Sequence, residues 1–203
     1  MFKRFFPIAL ICAYPITVHA SLLLGMPGLQ VVAILFFLLG IFGKPLIHKQ
    51  LWPWLIFIAM IIVILALYYF SLVMYLLYLP PIIMPLGLFI YFGLTLLPGQ
   101  EPLITGIAKS VRGTLGLAME KYTRTLTQVW CGVFVIMLLS AIVLPLINRP
   151  ELWSWVTNVI NYGVIGGLFV GEFILRKKLF PEYPHPHFFD YIRIVTQASN
   201  KPK

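Results

Sequence analysis

No charged residue occurs from Leu51 to Leu97. A helix crosses the roughly 30 Å hydrocarbon core of a bilayer in about 20 apolar residues, rising 1.5 Å per residue. The run is too long for one crossing and too apolar to be hidden inside a soluble fold. It requires at least two helices with lipid around them. The rest of the chain agrees: 61% of its residues are hydrophobic and only 10% charged, against about 25% charged in soluble domains. The fold class that follows is all-α and polytopic.

Six segments meet or approach spanning length, at about 5–24, 26–42, 52–78, 81–97, 125–147 and 152–175. Gly25 and Pro27 make a tight connection between the first two, since proline suits a first helical turn. Pro80-Pro81 is the expected divider of the charge-free run, because proline removes a backbone donor and clashes with the preceding turn. Pro98-Gly99-Gln100 ends the fourth span, and Asn148-Arg149-Pro150 the fifth. Lys3-Arg4 followed by an apolar run and Val18-His19-Ala20 has the outline of a signal peptide. Ser21-Leu22-Leu23-Leu24 continues apolar, and Pro15 and His19 make a poor cleavage region. An uncleaved first helix is therefore expected; cleavage would leave the remaining topology unchanged.

Orientation follows from lysine and arginine. With the N-terminus inside, all but Arg149 of the 15 basic residues fall on the inner side, as the positive-inside rule requires. Both termini are then cytoplasmic. Trp52 and Trp54 at the inner boundary, and Trp153 and Trp155 at the outer one, fit aromatic belts.

Between the fourth and fifth spans, Ile104, Ile107, Ala108 and Val111 recur at helical spacing, with Lys109 and Arg112 on the other face. This predicts a short amphipathic helix whose basic face suits anionic headgroups. The bundle is expected over 1–178, followed by a proline- and aromatic-rich cytoplasmic tail over 179–203. In that tail Phe188, Phe189 and Ile192 are expected to touch lipid or protein.

The net charge of +9 does not describe a nucleic-acid face, because the basic residues are dispersed between apolar runs. Cys12 and Cys131 lie inside such runs and read as small buried apolar side chains, with no metal spacing between them. His185, His187 and Asp190 have a His-x-His pattern, but prolines interrupt it. Neither a metal nor another cofactor is expected.

Ionisable groups within hydrocarbon are costly and point to function. The spans contain His19 and Glu172. Their depths differ by roughly 16 Å, too far for an acid–base pair. Glu172 precedes Arg176 by four residues, the favourable order for a helical ion pair. The bland reading is an anchoring pair at a helix end. The sharper one turns Glu172 toward the bundle interior and Arg124. His19 reads as a hydrogen-bonded packing residue.

Several strings occur together: Tyr78-Leu79-Pro80-Pro81, Glu101-Pro102-Leu103-Ile104, Tyr122 through Cys131, and Asn161-Tyr162-Gly163 leading to Gly171-Glu172 and Arg176. From about Tyr78 to Tyr191 the chain resembles an uncharacterised family of bacterial inner-membrane proteins. That family is associated with gene clusters for aryl-polyene-type and related fatty-acyl envelope lipids. The Tyr-x-Arg-x-x-Thr-x-x-Trp-Cys string, Tyr122 to Cys131, is the most specific part; the first 75 residues or so match only in hydrophobic character. The resemblance implies a multi-pass inner-membrane location and a lipid pathway, but no reaction.

The residues sharpen that context. Arg124, Thr127 and Cys131 form one helical stripe, and Met119, Tyr122 and Leu126 another. Arg124 could clamp a phosphate or carboxylate headgroup through its planar fork. Asn161 needs partners within its span, and Gly163, Gly166 and Gly167 permit close helix approach. The candidate site residues are therefore Arg124, Tyr122, Thr127, Trp130, Asn161, Glu172 and Arg176; helix-packing glue is their bland reading.

Three functions stay open. One is an accessory component that binds, scaffolds or helps translocate a lipid, working with peripheral or soluble acyl-chain enzymes on the cytoplasmic face. The second is a lipid-modifying enzyme with Glu172 as acid or base. The third is a small-solute transporter, for which the midplane is short of polar groups. A membrane lipid is the expected partner and nucleic acid is not. Assembly into a homo-oligomer is left open.

Overall fold

The structure, a computed structural model, describes residues 2–181, with side chains from residue 7 onward. The helices run in order α1 (Phe2–Leu23), α2 (Pro27–Ile47), α3 (Leu51–Tyr69), α4 (Val73–Leu94), α5 (Leu103–Arg112), α6 (Leu117–Leu146), α7 (Pro150–Trp155), a π-helical turn (Val156–Ile160) and α8 (Asn161–Leu179). There is no strand among the described residues. Five helical stretches are long and apolar enough to cross a membrane: α2, α3, α4, α6 and the continuous stretch Pro150–Leu179. A shorter apolar stretch, Pro7–Leu23, lies in α1. The protein is an all-α polytopic membrane protein. The tail expectations, including His185, His187, Phe188, Phe189, Asp190 and Ile192, lie outside the described residues.

The charge-free run divides at Ser71, not at Pro80-Pro81. Leu72 N–H donates to the Leu67 carbonyl at 2.7 Å and Ser71 N–H to Tyr68 at 3.0 Å. Ser71 itself has φ +58°. This is the hydrogen-bond pattern of a helix C-terminus closed by one left-handed residue, a position usually held by glycine. Dividing here leaves α3 with 19 residues and α4 with 22, both near one bilayer thickness. Pro80 and Pro81 lie inside α4, since membrane helices tolerate proline where neighbouring groups re-satisfy the backbone. Lys49, at φ +53°, ends α2 in the same way, so that helix runs through Lys44-Pro45 to Ile47 and does not stop at Gly43. The Gly25 turn, at φ +62°, closes α1 as expected. At their other ends, α6 begins at Leu117, and the last stretch continues to Leu179.

The chain divides into two compact units, Met1–Ile83 with Met137–Gly163, and Met84–Ile136 with Val164–Lys203. In the first, α1 and α2 pack closely. A Cβ on Gly40 would meet the Ile11 side chain at 2.6 Å and the Pro7 carbonyl at 3.2 Å, so the small residue sets this approach. The core of this unit gathers Tyr14, Val18, Ile34, Leu38, Leu77 and Trp153. The Tyr14 hydroxyl donates to the Leu77 carbonyl at 3.1 Å. Trp153 is fully buried against Tyr78. It belongs to this core and not to an aromatic belt; Trp155 is the more exposed of the two. Of the two free cysteines, Cys131 is buried but Cys12 is exposed on α1.

The second unit is organised around the start of α6. Thr105 and Thr123 share a buried hydrogen bond of 2.8 Å, and the Leu103 N–H donates to Thr95 Oγ1 at 3.0 Å. These contacts tie α5 to α6 and to the end of α4.

Candidate functional site

A cavity of about 410 Å³ lies within the second unit. Its walls are Leu88 and Phe92 of α4, Ile104 and Ile107 of α5, Leu126, Trp130 and Phe134 of α6, and Ile165, Phe169 and Phe173 of α8. Helical periodicity explains the set. Leu126, Trp130 and Phe134 repeat every four residues, as do Ile165, Phe169 and Phe173, so each triplet presents one face. The aromatic rings brace each other. Trp130 and Phe169 centroids are 4.9 Å apart, Phe92 and Phe134 5.2 Å, and Trp130 and Phe134 5.5 Å, distances typical of favourable ring pairs.

Two charged residues also line the cavity, Glu172 and Arg176. Glu172 Oε1 and Arg176 Nε are 3.1 Å apart, four residues along α8. The contact is an ion pair whose alignment falls short of a standard hydrogen bond. Both side chains are mostly buried, at 16% and 21% exposure, so the pair is shielded from bulk water. The Tyr122 hydroxyl is buried and lies against the Glu172 carboxylate, within electrostatic reach of both charges. The Tyr122 ring rests edge-on against Phe180. An apolar chamber with one small polar group of this kind is the ordinary form of a small-molecule site, and its volume falls in the usual range of about 300–1,000 Å³.

A separate cleft of about 560 Å³ in the same unit is polar, lined by Gln100, Glu101, Thr105, Lys109, Glu120, Lys121 and Arg124 among others. The Lys109 ammonium sits 2.8 Å from Glu101 and 2.7 Å from Glu120. Hydrogen bonds to Glu101 and then Glu120 push its pKa up to about 12. The basic face expected to meet anionic headgroups is therefore partly neutralised within the protein, because two acids bracket Lys109. The apolar side of α5 supplies Ile104 and Ile107 to the cavity.

The predicted site residues separate accordingly. Tyr122, Glu172 and Arg176 come together, with Trp130 in the adjoining wall. Arg124 lines the polar cleft and donates from its guanidinium to the Leu96 carbonyl at 3.1 Å. The partner of Glu172 is Arg176, so the expectation that it turns toward Arg124 gives way to the local helical pair. Thr127 is fully buried and donates back to the Thr123 carbonyl at 2.9 Å; it faces packing, not the cavity. Asn161 belongs to the first unit, buried at the end of the π-helical turn, where its N–H donates to the Val156 carbonyl.

That turn carries a polar cluster which the sequence reading missed. His19 Nδ1 and Ser154 Oγ are 3.0 Å apart. Asn158 Nδ2 donates to Ser154 Oγ at 3.2 Å and to Thr157 Oγ1 at 3.3 Å. The His19 ring packs edge-on against Trp155. Ser154, Thr157, Asn158 and Asn161 recur at three- and four-residue spacing, and this polar stripe in an apolar helix was the available signal. No group of three or more metal-ligating side chains occurs among the described residues.

Searches for a matching family model, for a similar curated protein and for a similar solved structure each returned no match.

Proposed function

We propose that the protein is a noncatalytic membrane component that holds the chain of an acyl or isoprenoid-linked lipid in the cavity of its second unit. It would scaffold or help translocate that lipid for peripheral acyl-chain enzymes. In this reading the chain makes six crossings of a bacterial inner membrane with both termini cytoplasmic, the arrangement favoured by the distribution of lysine and arginine. The resemblance of Tyr78–Tyr191 to proteins of aryl-polyene and fatty-acyl lipid clusters supports the same pathway class.

One observation carries the proposal. Ten apolar side chains and one ion pair line a cavity of about 410 Å³. A flexible hydrocarbon chain suits such walls, and a polar head suits such a pair. A small-solute carrier would need several polar groups along its chamber, and among the described residues this lining is apolar apart from the one ion pair.

The enzyme reading draws on the Tyr122 hydroxyl beside Glu172. It requires Glu172 to exchange protons with a substrate, yet Arg176 already engages that carboxylate.

Deletion of the protein from its native host, followed by mass spectrometry of membrane lipids, tests the pathway. Loss or accumulation of one acyl-lipid class is expected. An unchanged lipid profile would remove the assignment.

A further inference from the structure

The charge balance of the cavity narrows the class of lipid, given the reading that a lipid chain occupies it. Arg176 would attract a phosphate or carboxylate if it stood alone. Glu172 stands 3.1 Å from its Nε. Among the described residues they are the only charged ones in the cavity wall, and they neutralise one another. A phosphate entering here would bring its negative charge beside Glu172 in a shielded site, where like-charge contacts are strongly unfavourable.

The nearby Tyr122 hydroxyl lies against Glu172 and brings no positive charge to offset it. A guanidinium carries five N–H donors, so Arg176 can still donate to a carbonyl or hydroxyl oxygen while paired with Glu172. We infer that the cavity selects lipids with an uncharged oxygen-bearing head, such as an alcohol or ester, over lipids that carry a phosphate.

Trp130 is a built-in reporter, because its ring forms part of the cavity wall. The full-length protein in phosphatidylcholine nanodiscs is titrated with brominated-chain diacylglycerol and, separately, with phosphatidic acid carrying the same chains. Quenching of tryptophan emission is read in each, and the signal remaining in Trp130→Phe is subtracted. Half-maximal quenching by diacylglycerol is expected at a mole fraction at least about tenfold lower than by phosphatidic acid. Glu172→Gln, which frees Arg176 without changing shape, should reverse the preference.

Equal quenching by the two lipids, or a stronger response to phosphatidic acid in the unmodified protein, would overturn the head-group inference while leaving lipid occupancy intact. No Trp130-dependent quenching by either lipid would overturn the occupancy reading and the inference with it.

Discussion

The two units differ in their largest polar groupings. In the first, His19, Ser154, Thr157 and Asn158 form a cluster of side chains that hydrogen-bond to one another. In the second, a charged pair lines an otherwise apolar cavity. Side chains that close on one another act as packing glue. A charged pair kept in the wall of an open cavity is positioned to meet something else. The aromatic residues differ in the same sense: Trp153 fills a core, whereas Trp130 walls a space. The first unit also has an apolar recess of about 290 Å³, lined by Ile34, Ile56, Met60, Ile64 and their neighbours. It offers no polar group to orient a ligand, so the contrast between the units holds there too.

The largest expected effect separates the two tryptophans. Trp153→Ala should destabilise the protein by about 3–5 kcal/mol, the usual loss for a fully buried aromatic side chain. Trp130→Ala, beside an existing cavity, should cost clearly less while weakening lipid binding. Unfolding titrations in mixed micelles measure both, and equal losses would break the comparison.

Next comes the charge pair. Glu172→Ala leaves Arg176 without its partner and should cost about 1–3 kcal/mol. Adding Arg176→Leu should recover most of that loss, because replacing both members of a buried pair with apolar groups is often near neutral. No recovery in the double variant would mean that Glu172 acts through other contacts.

The hydrogen-bonded cluster around His19 should respond more weakly. A double-mutant cycle between His19→Ala and Ser154→Ala should give a coupling of about 0.6–1.7 kcal/mol, the range for hydrogen bonds inside membrane proteins. A coupling near zero would demote the cluster to incidental contact.

The smallest effect concerns α5. Lys109 has its pKa raised from 10.5 to about 12. A raised folded value means that the pairing contributes fully below about pH 10.5 and is lost as pH rises through about 12. Protection factors of the α5 amides should therefore be flat across neutral pH and fall only in strong alkali. Lys109→Met should lower them at neutral pH. A titration of that protection near neutrality would point to a different anchor.

The helical membrane architecture was legible in the sequence because composition and run length dominate it. The break between α3 and α4 was not. Ser71 adopts the left-handed conformation usually left to glycine, and nothing local distinguishes it from other serines, whereas Pro80-Pro81 carries a strong local signal that a membrane helix absorbs. The Glu172–Arg176 contact could be read from spacing alone, since it is local to one helix. The cavity could not, because its walls come from four helices and depend on tertiary packing. Lys109 shows the same limit: helical spacing gave its face, but only the fold brings Glu101 and Glu120 to it.

The central claim is that a lipid chain occupies the second unit's cavity. Photo-crosslinking with a diazirine-bearing acyl lipid, mapped by peptide mass spectrometry, tests it most directly. Labelling concentrated on the α6 and α8 walls around Trp130 and Phe169, and abolished when Leu126→Trp fills the space, is the predicted result. Labelling spread over outward-facing side chains such as Ile62, Leu65 and Ile136, and unaffected by Leu126→Trp, would contradict it.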